Sequence, residues 1–161
     1  MFIKLKMASL GLVCLLLLAS GCVELAVMYN GKAVSKVPVI ALQEGGSIKG
    51  RWETFDLIID YQYIKKGDRL EISGQTALTQ HYQMIYDQLS RMRAYIFFLD
   101  QNSRVLETAP FADAWPSSTQ DIQDFSESYT VPQGTTKISF GYSGQVRDGK
   151  TLESFYKLPL D

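Results

Sequence analysis

Hydrophobic and polar residues alternate most regularly between positions 55 and 78. Phe55, Leu57, Ile59, Tyr61 and Tyr63 are interleaved with Asp56, Ile58, Asp60, Gln62 and Ile64, and a period of two is that of a strand burying one face. Lys65-Lys66-Gly67-Asp68 has the composition of a turn, after which Leu70, Ile72, Gly74, Thr76 and Leu78 alternate against Arg69, Glu71, Ser73 and Gln75. The two runs predict an antiparallel hairpin at the centre of a sheet. From His81 to Arg91 the spacing changes. Tyr82, Ile85, Leu89 and Met92 fall three or four apart, so one short helix or helical loop is expected near 81–92. Residues 93–99 follow with Tyr95-Ile96-Phe97-Phe98-Leu99, an unbroken run that marks a strand buried on both faces.

Weaker signals flank this centre. Residues 23–29, the Asn30-Gly31 pair and residues 32–42 predict a first hairpin, with Pro38 confining its second strand to an edge or ending it early. Asp100-Gln101-Asn102-Ser103 turns the chain into a returning strand over 105–109. Residues 110–124 are expected to be irregular, and connections of that length are often functional. A strand over 125–131 leads to Pro132-Gln133-Gly134-Thr135, a type II turn signal with proline at the second position. A strand over 137–146 and an edge segment over 154–160, ended by Pro159, complete the chain. Roughly seven to nine short strands separated by turn signals predict an all-β fold, an antiparallel β-sandwich. A barrel of the same strands is the alternative. The strand spacing loosely resembles that of immunoglobulin- and fibronectin-like accessory domains of bacterial envelope proteins.

The first two dozen residues belong to a different class. Lys4 and Lys6 precede an uncharged stretch containing Leu15-Leu16-Leu17-Leu18, the layout of a secretory signal peptide. Leu18-Ala19-Ser20-Gly21-Cys22 resembles the lipobox of bacterial lipoproteins. That resemblance implies a signal peptide over 1–21, covalent lipid on Cys22 and a single mature domain over 22–161, with 22–30 as tether or first strand. It also implies three acyl chains, and two or more suffice for stable anchoring at about 0.8 kcal/mol per buried methylene. Val23 rather than aspartate after the cysteine implies, in a Gram-negative cell, sorting to the outer membrane. An uncleaved helical anchor of about 17 residues is the competing reading. Both place the domain on a membrane, outside the cytoplasm.

Composition narrows the functions. The chain has 16 Lys+Arg against 17 Asp+Glu; the leader holds two lysines and no acids, leaving 14 against 17, without the clustered basic residues of a nucleic-acid binder. Of two cysteines, Cys14 leaves with the leader and Cys22 would carry lipid, so the mature core must hold without a disulfide.

A lone histidine, His81, and no free thiol supply neither a Gly-x-Ser-x-Gly elbow nor the ligands of a zinc site. Glu53, Asp56 and Asp60 are the remaining acid–base candidates, from which a carboxylate hydrolase is a third hypothesis; a solvated strand face accounts for them with no extra assumption and is the preferred reading. No catalytic residues and no cofactor beyond the lipid are assigned. The expected function is a non-catalytic binding or scaffolding module for another envelope component, with a carbohydrate- or cell-wall-binding module as the alternative. Trp115, Trp52, Tyr82 and Tyr86 lie in or beside predicted loops and are the candidate contact aromatics, Trp115 first because its loop is long and polar.

Overall fold

Alternation over 57–78 does produce the central hairpin. In a computed structural model, which describes residues 29–158, strands β3 (Leu57–Lys66) and β4 (Arg69–Leu78) pair antiparallel from Leu57↔Leu78 to Lys66↔Arg69. Only Gly67 and Asp68 lie between them, and Gly67 takes the positive φ of +60° that so tight a reversal needs. Cys22, residues 23–28 and Pro159 lie outside the described residues.

The other described elements are β1 (Ile40–Ala41), β2 (Ile48–Glu53), α1 (Gln80–Ile85), β5 (Gln88–Leu99), β6 (Val105–Ala114), β7 (Ser117–Ser118), β8 (Gln123–Thr130), β9 (Lys137–Asp148) and β10 (Thr151–Lys157). One sheet has the order β2-β3-β4-β8, with the hairpin in its middle. The other runs β1-β9-β5-β6, with β10 also on β9 and β7 also on β5. Every pairing is antiparallel. The two sheets form the expected sandwich.

Their inner faces meet in one core. Trp52, Leu57, Ile59, Tyr61, Tyr63, Leu70 and Ile72 from the smaller sheet pack with Ile96, Phe98, Phe140, Tyr142 and Val146 from the larger. Strand β5 is buried on both sides, as its unbroken apolar run requires. Ile96 and Phe98 enter the main core, while Phe97 and Leu99 join Val105 and Tyr29 in a second cluster on the outer face. At Gly74 a side chain has no room: a Cβ there would stand 2.0 Å from the Asp60 carbonyl oxygen.

Several expectations change. Asn30-Gly31 does turn, with Gly31 at φ +78°, and the segment after it joins the start of β6. Gly31 N–H donates to Val105 O at 2.7 Å, Val105 N–H donates to Lys32 O at 2.9 Å, and Ala33 bridges Arg104. The expected strand over 32–42 shrinks to β1, beyond Pro38 and on an edge.

Helix α1 is shorter than 81–92, because Leu89 and Met92 belong to β5. Their three-residue spacing mimics a helix. In β5 a register shift between Leu89 and Arg91 inserts one extra residue, which turns both side chains toward the core. Strand β6 likewise runs through Pro110 to Ala114, shortening the expected irregular stretch. Proline is tolerated because β6 is an edge, and the shift beside it leaves Phe111 unpaired and aimed inward against Phe125 and Phe140. The turn after β8 closes one residue later than expected, Thr135 N–H to Pro132 O at 3.1 Å, with Gly134 at φ +87° in third position. No described helix is long and apolar enough to cross a membrane.

Candidate functional site

Strands β2, β4 and β6 end, and β3, β5 and β8 begin, at the same end of the sandwich. Four connections lie there: 54–56, 79–87, 115–122 and the β9–β10 turn at 149–150. Thr54 shapes the first. Its hydroxyl oxygen accepts from the Asp56 and Leu57 backbone N–H groups at 3.3 and 3.2 Å, a local turn that competes with strand pairing. The chain is therefore bent at Phe55, whose side chain leaves the inner face expected from the alternation and stands 69% exposed.

That turn carries the start of α1. Thr79 N–H donates to Asp56 O at 2.9 Å and Thr79 Oγ1 to Phe55 O at 2.8 Å. The helix in turn holds the third connection, since Thr119 Oγ1 donates to Tyr86 O at 2.6 Å and Thr119 N–H to Asp87 O at 3.3 Å.

Beneath this end lies a polar link between the sheets. Tyr142 of β9 reaches across the sandwich, donates its hydroxyl to Asp56 Oδ2 at 2.6 Å, and meets Thr54 Oγ1 at 2.7 Å. Burial, and then the Asp56 carboxylate, hold the Tyr142 phenol well above its ordinary range. Tyr82 of α1 is pushed up to about 12, again by burial first and Asp56 second. Its ring stacks on Tyr86 at 5.5 Å and meets Phe155 at 5.3 Å, so Tyr82 is chiefly a packing residue that seats the helix.

Above that link the end is apolar and uncovered. Phe55, Met84, Ile85, Trp115 and Ile122 are between 46% and 77% exposed, and they come from the first three of these connections. Phe55 lies against His81 at 4.7 Å and near Tyr82 at 6.5 Å, which ties the first connection to the helix. Large side chains exposed together in this way mark a binding surface more often than a plain solvent face.

Of the aromatics singled out from the sequence, Trp115 is at this surface and 74% exposed. Trp52 is not. It is 1% exposed in β2, donates Nε1–H to Pro38 O at 3.0 Å, and packs edge-on against Phe140 and Tyr142. Trp52 pairs with Ile59, whose side chain is in the core, and this register turns the indole inward, away from any ligand. Phe55, Met84, Ile85 and Ile122 were not singled out. Thr54-Phe55-Asp56, a hydroxyl residue two before an acid, is the one local signal that could have exposed Phe55.

Of the acid–base candidates, Glu53 and Asp60 flank Arg51 on the outer face of β2 and β3, while Asp56 is bonded to Tyr142. Arg51 grips Asp60 with Nε and Nη2 at 2.7 and 2.8 Å on the outer face, holding the Asp60 carboxyl below its usual range. Asp56 faces Tyr142. Asp56 lies in the bend before β3 and turns inward, whereas Asp60 turns outward to Arg51, so these two carboxylates do not form a pair. The ring neighbours of His81 are Phe55 and Tyr82, neither of them a nucleophile partner. Among the described residues no group of three or more His, Cys, Asp or Glu could hold a metal ion.

An open groove of about 400 Å³ lies on the outer face of the larger sheet, lined among others by Arg91, Arg93, Tyr95, Gln145, Ser154 and Tyr156. Arg93 is bonded there to Asp113 at 3.2 Å. Compared with known proteins, the chain matches no family model, no curated protein and no solved structure.

Proposed function

We propose that this protein is a lipid-anchored envelope protein whose β-sandwich binds another envelope component through the end that carries Trp115. The leader pattern Lys4, Lys6 and Leu18-Ala19-Ser20-Gly21-Cys22 supports the anchor, and Val23 supports an outer-membrane destination in a Gram-negative cell. One observation carries the binding role: Phe55, Met84, Ile85, Trp115 and Ile122 stand exposed together at one end of the fold. Asp60 held by Arg51, Asp56 held by Tyr142 and the aromatic neighbours of His81 favour binding over catalysis.

Two measurements test the reading. Intact mass of membrane-extracted protein, beside a Cys22→Ala variant, should show loss of 1–21 and a gain of acyl chains in the parent only; a full-length mass in both refutes the lipoprotein assignment. A photo-cross-linking residue placed at 115 in cells should give a discrete adduct that the same residue at 73, on the outer face of β4, does not. Equal labelling from both positions, or none from either, refutes binding at this end.

The groove favours a second reading, since Tyr156 is 71% exposed there beside Arg91, Gln145 and Ser154, a ring and hydrogen-bonding groups of the kind that hold a sugar. Retention on peptidoglycan that is abolished by Tyr156→Ala would establish it, and retention unchanged by that substitution would dismiss it.

A further inference from the structure

We infer that the occupant of the Trp115 end is a protein segment with an apolar centre and flanking lysine or arginine residues, and neither the bilayer nor a second copy of this chain. The inference rests on the binding role proposed above and adds the chemistry of the partner. Its main support is charge. The segments that bear the exposed apolar residues, 53–56, 79–87 and 115–124, contain Glu53, Asp56, Asp87, Asp121 and Asp124 and no lysine or arginine. Glu53, Asp87, Asp121 and Asp124 are exposed.

An apolar patch rimmed by acids repels anionic lipid, and it repels its own image when two copies meet end to end. Basic flanks on a partner satisfy that rim, while its apolar centre covers Phe55, Trp115 and their neighbours. The β9–β10 connection at the same end adds Asp148 and Lys150, with Arg147 just before it, and Arg51 lies close enough to Glu53 to interact with it, so acids outnumber bases at this end without excluding them.

The tether supplies a second argument against the bilayer. Tyr29 packs on Phe97, nine residues along β5 from its Gln88 end, which is about 30 Å at the rise of a strand. Cys22 precedes Tyr29 by seven residues, and seven residues in any conformation reach at most about 25 Å. A chain anchored at Cys22 is too short to turn this end face-on to its own membrane. The patch is held away from the lipid surface, toward whatever protein occupies the space beyond.

The experiment uses the lipidated chain reconstituted in phosphatidylethanolamine–phosphatidylglycerol vesicles, with Trp115 as the exposed emitter and a Trp115→Phe variant as the blank for Trp52. The probes are two synthetic peptides sharing one leucine- and phenylalanine-rich centre, one flanked by lysines and the other by glutamates. Acrylamide should quench Trp115 and headgroup-spin-labelled lipid should not. The lysine-flanked peptide should shield Trp115 and shift its emission to the blue, and the glutamate-flanked peptide should not. Neutralising two rim acids, Asp87→Asn with Glu53→Gln, should weaken lysine-peptide binding by about 5- to 20-fold at low salt.

Quenching of Trp115 by spin-labelled lipid would overturn the inference in favour of the bilayer. Shielding that grows with protein density alone would overturn it in favour of a second copy. Equal binding of both peptides, or binding of neither, would remove the charge argument. The cross-link from position 115 in cells is read separately, so a captured partner with no peptide discrimination sinks this inference alone, and no cross-link at all sinks the reading beneath it.

Discussion

Removing one oxygen, by Tyr142→Phe, tests whether the link between the sheets holds up the end that carries Trp115. The Tyr142 hydroxyl donates to Asp56 Oδ2 at 2.6 Å and is 2.7 Å from Thr54 Oγ1, while the ring packs on Trp52 and Phe155. Phenylalanine keeps the ring contacts. Thr54 retains an acceptor in Leu57 O at 3.3 Å, so its loss is small. What disappears is a hydrogen bond to a carboxylate, which contributes about 1.5–3 kcal/mol. With an m-value of about 1.5 kcal/mol/M, typical for a domain of this size, the urea midpoint falls by roughly 1–2 M.

The assay is equilibrium unfolding followed by tryptophan emission, in which Trp52 reports the core. A second reading comes from pH. The folded Tyr142 phenol is held above its ordinary value, so the stability it confers is complete below about pH 10 and is lost as pH rises further. The gap between parent and variant should therefore narrow in alkali. A midpoint within about 0.3 M of the parent, or a gap that widens above pH 10, would refute the account.

Three further outcomes follow from burial and packing. Trp52→Ala removes a fully buried indole and its bond to Pro38 O and should cost about 3–5 kcal/mol by urea unfolding; a cost below 1 kcal/mol would mean that Trp52 is not core. Gly74→Ala sets a Cβ 2.0 Å from the Asp60 carbonyl oxygen, forces the backbone of β3 and β4 apart, and should cost about 1–3 kcal/mol in the same assay; an unchanged midpoint would show that the strands are not so close. Trp115→Ser, at a 74% exposed position, should alter stability by less than about 0.5 kcal/mol while reducing capture of a partner by a neighbouring cross-linker. Unfolding at lower urea would place Trp115 in the core instead.

The parts legible in the sequence are those in which a single period or a single unbroken run decides the outcome. Residues 57–78 alternate without interruption around Gly67, and the hairpin followed directly. The run from Tyr95 to Leu99 had to be covered on both faces, and two separate clusters cover it. The departures share a cause, because period-two alternation gives the face of a residue only while the strand stays regular. The extra residue between Leu89 and Arg91 made two core positions read as helical, and the one beside Pro110 hid half of β6.

The exposure of Trp115 was legible because it borders a connection, although that connection is shorter than the expected irregular stretch. Phe55 was not, since its pattern continues that of β3 and only the Thr54 hydroxyl breaks it. Trp52 illustrates the opposite error. Aromatic content beside a loop says nothing of register, and its pairing with Ile59 is a tertiary fact.

The placement of β5 has a consequence for how the chain is made. Its two long neighbours are β6, immediately after it, and β9, paired from Gln88↔Arg147 to Leu99↔Lys137. The β3–β4 hairpin closes over two residues and can form as soon as it emerges, but the larger sheet must wait for a partner dozens of residues downstream. Loop closure of that length slows folding. Until residues 137–148 arrive, the apolar run of β5 has one edge unpaired and its inner face lacks Ile138, Phe140 and Tyr142, a species prone to aggregate. The order of synthesis thus leaves the least soluble strand exposed for longest, and the chain's last quarter determines when that exposure ends.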